Sequence, residues 1–158
     1  MHERDLDVFI QHTMNYFTKI AHEAPEPRPP TIDFSAPVFL DFTGAIDVSG
    51  QSSGTVYLTM PDRMARALLE VVGEPGRDEA TCRDLVGEIA STISSNARAH
   101  FGSAFQIAVP RTFTASTAIE PLPLQGRFIL PLRWRDAEAL LVISITELPS
   151  SNHAQTDH

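Results

Sequence analysis

Among 158 residues there is one cysteine, Cys82, and one lysine, Lys19. A lone cysteine closes no internal disulfide, and within a helical pattern Cys82 reads as a small apolar filler rather than a nucleophile. A chain of this length buries enough apolar surface for one domain without such staples. Basic residues are scarce too, 12 against 20 acidic ones, for a formal net charge of −8. The arginines are scattered and form no polybasic run, so neither nucleic acid nor an anionic membrane surface is an expected partner. No uninterrupted apolar stretch approaches the ~18 residues that a bilayer span requires. The opening residues, Met1-His-Glu-Arg-Asp5, lack the basic lead and apolar stretch of a secretory signal. Together these absences predict a soluble globular chain in the cytoplasm.

What is present is periodicity. Leu6, Phe9, Ile10, Thr13, Phe17 and Ile20 recur at helical spacing, predicting an amphipathic helix over about 5–22 that packs across a sheet. Pro25, Pro27, Pro29 and Pro30 then forbid helix, so residues from about 24 to 34 read as an extended connector. From Pro37 to Met60 the period becomes two, with Val38, Leu40, Phe42, Ile46 and Val48, then Val56, Leu58 and Met60 after a Gly50–Gly54 break, which is a hairpin. A second helix starts at Pro61, buries Met64, Ala67, Leu68 and Val71, and stops at Gly73. Asp78 is placed to cap a longer third helix with the stripe Cys82, Val86, Ile89, Ile93, Ala97 and Phe101, closed by Gly102.

Four alternating runs follow: Phe105, Ile107, Val109; Phe113, Ala115, Thr117; Phe128 to Trp134; and Leu141, Ile143, Ile145 after an Arg135-Asp136-Ala137 turn. Pro131 places its strand at an edge or beside a bulge. The order α-β-β-α-α-β-β-β-β predicts one α+β domain over 1–148, a mostly antiparallel sheet of about six strands with three helices. The tail, residues 149–158, has nothing to bury and is expected to be disordered.

Opposite its apolar stripe the third helix carries Asp84, Glu88, Ser91, Thr92, Ser95 and Arg98, with Glu88 near the centre. Solvated helix faces favour long side chains of good propensity, whereas Gly87, Ser91, Thr92, Ser94 and Ser95 are poorer helix formers and cover little surface. Two readings stand. Either another surface presses against these small residues and meets Glu88 with a cation, or the face is weakly optimised and the glutamate points into water.

The segment Asp84-Leu-Val-Gly-Glu-Ile-Ala-Ser-Thr-Ile-Ser-Ser-Asn-Ala-Arg-Ala-His-Phe-Gly102 resembles the signature helix of the CheX branch of the CheC/CheX/FliY phosphatases, which reads Glu-x-x-Asn followed by Gly-Asn. The resemblance runs over about residues 36 to 147 and includes the Gly44–Gly54 hairpin, Thr55-Val-Tyr-Leu58, and the Phe105–Pro110 strand. It implies a CheC/CheX-like fold and a helix that docks on the phosphorylated receiver domain of a CheY-type response regulator to hydrolyse its aspartyl phosphate. It further implies no cofactor of the chain's own, with Mg²⁺ in the partner receiver. Carried over, Glu88 matches the glutamate that pairs with the receiver's lysine, and Asn96 matches the last asparagine. The asparagine that orients the attacking water falls on Ser91, and the signature glycine falls on Ser95. Glu88 and Ser91 thus stand as the candidate catalytic pair, with Asp84, Gly87, Thr92, Ser95 and Asn96 as partner contacts. Asn96 lies about 80° around the helix from Glu88 and reaches the same spot less naturally. Because phosphoryl transfer depends on positioning and charge stabilisation, a short hydroxyl in place of the amide puts turnover in question while leaving docking possible.

Other chemistries find little support. His12, His22 and His100 have unlike spacings and form no i, i+4 pair, so no metal site is expected. No Gly-x-Ser-x-Gly elbow accompanies the serines, and the hairpin glycines precede no lysine-bearing helix. Arg127, Arg133 and Arg135 share strand parity and read as a solvated basic stripe. Three functions remain: a receiver phosphatase, a receiver-binding module without turnover, and a structural homodimer paired at a sheet edge with its helix facing another partner.

Overall fold

The computed structural model describes residues 3–33, 39–50, 52–117 and 127–146; the expected tail lies outside them. Helix α1 (Glu3–Ala21) is followed by two short strands, β1 (Glu26–Pro27) and β2 (Thr31–Asp33). The hairpin β3 (Phe42–Gly50) and β4 (Ser53–Met60) leads into α2 (Asp62–Val71) and α3 (Glu79–Phe101). Four strands complete the order: β5 (Phe105–Ile107), β6 (Arg111–Thr114), β7 (Arg127–Trp134) and β8 (Ala137–Thr146). All join one antiparallel sheet of eight strands in the order β1-β7-β8-β4-β3-β5, with β2 also on β7 and β6 also on β3. The fold is the expected α+β class with three helices.

The two strands beyond the expected six come from the proline-rich segment, which pairs with β7 instead of merely connecting. Glu26 and Pro27 face Arg133 and Leu132, whereas Thr31, Ile32 and Asp33 face Ile129, Phe128 and Arg127. Between those stretches residues 28–30 lie opposite only 130 and 131, so one extra residue bulges where Pro131 interrupts the ladder, and Arg28 N–H donates to the Pro131 carbonyl at 2.9 Å. Strand β7 is paired on both flanks, so Pro131 is not on an edge strand, and of the two expectations only the bulge beside it is met.

Period two places Phe42, Ile46, Val48, Val56, Leu58, Met60, Leu130, Leu132, Trp134, Leu141, Ile143 and Ile145 in the main core beneath the helices. Two expected runs end early: Val109 lies beyond β5 and is 80% exposed, and Ala115–Thr117 form a 3₁₀ turn after β6. On the opposite face Ala45, Tyr57 and Val142 are buried as well, packed with Phe39, Phe113, Ile129 and Leu140. Of the expected solvated basic stripe, Arg133 and Arg135 are exposed and only Arg127 departs. Arg127 is buried. Arg135 lies 4.3 Å from the centre of the Trp134 ring and pairs with Glu23 at 3.2 Å.

Helix α1 lies beside α3 and across the sheet as expected: Phe9 meets Phe101 of α3 and Phe105 of β5, and Phe17 meets Trp134 of β7 toward the other side of the sheet. In α2 the buried residues are Met64, Ala65, Leu68 and Leu69, a stripe rotated from the expected one, with Ala67 and Val71 only half-buried. No helix among the described residues is long and apolar enough to cross a membrane.

Candidate functional site

Asp78 starts α3 as expected, its carboxylate accepting from the Thr81 N–H at 2.9 Å, and the backbone turns out of the helix at Gly102 with φ of +94°. The hydrogen bond to Thr81 holds the Asp78 carboxyl below the usual carboxylate range. Every residue of the expected stripe is buried: Cys82, Val86, Ile89, Ile93, Ala97 and Phe101. Leu85, Gly87, Ala90 and Ser94 are buried too, because α3 packs against the sheet, α1 and α2 together. Two of the small residues noted in the sequence are therefore small for internal reasons. A Cβ on Gly87 would approach the Thr112 methyl to 2.7 Å, and Ser94 is wholly enclosed.

The close seating of α3 on the sheet shapes the surface above it. Asp84 and Glu88 are exposed, and Ser91 and Thr92 are half-buried. Together with Gly87 they line an open depression of about 410 Å³ whose other wall is Pro110 and Thr112. Neither wall residue is foreshadowed as part of the site by any sequence pattern, since they stand more than twenty positions from Glu88 and reach it only through the pairing of β6 with β3. Thr112 sits opposite Gly44 in that pairing, and Arg111 beside it forks onto the Asp47 carboxylate with two bonds of 2.8 Å. This guanidinium, helped by a hydroxyl bond from Thr55, holds Asp47 below the usual carboxylate range against the opposing effect of burial.

Within the depression the Thr92 hydroxyl donates to the Glu88 carbonyl at 2.9 Å, so it is already engaged with the helix backbone. The Ser91 side chain lies one turn from Glu88, and no hydrogen bond occupies its hydroxyl among the described residues. Asp84 and Glu88 form no ion pair among the described residues. The charge of Glu88 is felt by Tyr16 of α1, whose phenol is raised above its ordinary value first by burial and then by that carboxylate. On the same helix, His12 is lowered by burial and by nearby His100.

The structure thus brings Asp84, Gly87, Glu88, Ser91 and Thr92 together and sets two candidates apart. Ser95 lines a second depression of about 310 Å³ with Arg98, Ala99, Gly102 and Ser103, and exposed Asn96 lines neither. No group of three or more His, Cys, Asp or Glu residues suited to a metal ion occurs among the described residues. An exposed carboxylate with no cation beside it among the described residues, next to a small hydroxyl in an open hollow, is suited to meeting a projecting cationic group on another macromolecule rather than to enclosing a small molecule.

Residues 42–132 match the family model described as chemotaxis phosphatase CheX, which is more than half of the chain. No curated protein matches the chain by sequence. Among solved structures, the fold is similar to the chemotaxis protein CheX of Desulfovibrio desulfuricans, with a TM-score of 0.79 at 22% identity over 90% of this chain and 99% of that one. The CheX of Vibrio vulnificus gives 0.76 at 22% identity, over 90% and 99% of the two chains. A CheX from Borrelia burgdorferi, solved in complex with CheY, BeF₃ and Mg²⁺, gives 0.72 at 13% identity over 89% and 96%. With its matched segment spanning the hairpin, α2, the whole of α3 and β5 to β7, the chain belongs to the CheX family.

Proposed function

We propose that the protein docks the exposed face of α3 on the phosphorylated receiver domain of a CheY-type response regulator, in the cytoplasm. The observation that carries this reading is the Glu88 carboxylate, exposed and without an ion pair among the described residues, at the rim of a hollow shared with Asp84, Ser91, Thr92, Pro110 and Thr112. A lysine of the receiver meets Glu88, and the small residues beside it let the two surfaces close. The Borrelia relative crystallised with CheY supports the choice of partner.

Hydrolysis asks more of the site. The attacking water must be held in line with the aspartyl phosphate, with the receiver's own Mg²⁺ neutralising the spreading charge. A shift of ~1 Å in such a group can cost 10²-fold in rate. Ser91, shorter than an asparagine amide, holds that water less well, so binding outlasts turnover in this chain and the hydrolysis it supports is slow. The protein acts chiefly by capturing the phosphorylated receiver.

The test is a panel of CheY-type receivers, phosphorylated and mixed with the full chain, with complex formation and phosphate loss followed in parallel. Binding with little acceleration of phosphate loss is the expected result. Glu88→Lys removes that binding and keeps a native circular dichroism spectrum, because exposed substitutions usually stay within ~0.5 kcal/mol. If no receiver binds the wild-type chain, or Glu88→Lys binds as well as wild type, the α3 face is misassigned and pairing between copies at a sheet edge becomes the reading to pursue.

A further inference from the structure

The exposed face of α3 carries opposite charge at its two ends. Asp84 and Glu88 stand in the N-terminal half, Arg98 in the last turn, and Ser91 and Ser95 lie between them. Asp84, Ser91 and Arg98 are spaced seven apart, and a seven-residue step drifts only about 20° around an α-helix, so they follow one line about 21 Å long. A depression marks each end, the first beside Asp84 and Glu88 and the second beside Arg98.

The helix dipole accounts for only part of this order. It favours Arg98 in the last turn, but it fades within one turn and leaves Glu88, midway along α3, without a reason. Internal pairing accounts for none of it. Several exposed charges elsewhere are taken up by partners, as in Asp62 with Arg66, Asp47 with Arg111 and Glu23 with Arg135. Asp84, Glu88 and Arg98 have no such ion pair among the described residues. Their separation also exceeds the ~8 Å Debye length at physiological salt, so the two ends act on an approaching partner independently.

We infer that α3 holds its receiver by a two-point charge clamp, in which Asp84 and Glu88 take a cation and Arg98 takes a carboxylate about 15 to 21 Å away on the partner's surface, fixing one orientation of docking. The inference rests on the receiver-docking reading and adds Arg98 as a residue that positions the partner without touching the reacting phosphate. A receiver lacking an acidic group at that distance associates slowly even when it carries the lysine.

The measurement is the association rate of beryllofluoride-activated CheY-type receivers, with Mg²⁺, against the full chain at 50 and 300 mM salt. For Arg98→Glu the rate falls about tenfold at low salt and the gap narrows at high salt, as expected for a rim charge. Arg98→Gln gives an intermediate loss, Arg98→Lys restores most of the rate, and circular dichroism stays native throughout. If Arg98→Glu and Arg98→Gln associate like wild type while Glu88→Lys does not bind, docking stands and the clamp is overturned. If wild type binds no receiver, the docking reading falls and takes the clamp with it.

Discussion

A Cβ placed on Gly44 of β3 would lie 2.8 Å from the Cα of Gly87 on α3, closer than side-chain carbons approach backbone. The two glycines let the helix rest directly on the strand. That seating puts Pro110 and Thr112 level with Glu88 and makes the two walls of one hollow.

Gly44→Ala therefore forces α3 away from β3. Overpacking of this kind costs about 1 to 3 kcal/mol, read as a lower urea midpoint. Receiver affinity falls as well, because Thr112 and Glu88 move apart. A variant as stable as wild type with unchanged affinity would show that the helix shifts freely and that the close seating does not shape the site.

Ser91→Asn restores an amide one turn from Glu88 and accelerates phosphate loss from a bound receiver. Removing one positioned hydrogen-bonding group elsewhere costs about 10²- to 10³-fold, so the gain lies within that bound. Binding changes little, and a single-turnover assay with radiolabelled receiver separates the two. Ser95→Gly removes the side chain one turn beyond Ser91 on the same exposed face, so the double variant Ser91→Asn with Ser95→Gly exceeds the single one, although glycine inside the helix costs about 0.5 to 1 kcal/mol of stability.

Ser94 is fully enclosed, and its hydroxyl oxygen has no hydrogen-bond partner among the described residues. Replacing it by alanine removes a buried polar group whose desolvation is not offset and adds helix propensity, for a stabilisation of about 1 kcal/mol. Thermal melting of Ser94→Ala beside Ser91→Ala checks this. The first variant melts higher, and the second, at a half-buried position in the hollow, changes little.

Asp47 titrates below the usual carboxylate range because Arg111 bonds its charged form. A depressed carboxyl contributes stability above its unfolded value, and that contribution is lost as pH falls through the folded one. Both partners are more than one-third exposed, so Asp47→Asn costs no more than about 1 kcal/mol at pH 7. Urea melts of wild type and variant at neutral pH separate by that amount, and the difference closes as the solution is acidified below the carboxylate range.

Local patterns carried far in this chain. The three-and-four spacing from Cys82 to Phe101, with Asp78 before it and Gly102 after it, determined the third helix and the exposure of Glu88, because one amphipathic helix needs only its own side chains to declare which face is buried. Alternation placed Phe42, Leu58, Leu130 and Leu141 in the core for the same reason. The resemblance of Glu88 and its neighbours to the CheX signature anticipated the family.

Tertiary structure decided the rest. Strands β1 and β2 exist because β7 offers them an unpaired edge, which a proline-rich stretch does not reveal by itself. Gly87 and Ser94 face inward, and Arg127 is buried, because the width of a buried arc depends on how many surfaces converge on an element. Pro110 and Thr112 entered the site through strand pairing across the sheet, and Ser95 lines a neighbouring depression on the same helix face. Periodicity reports which side of a helix or strand is buried, whereas the composition of a site depends on what lies across from it, and that is settled only when distant segments meet.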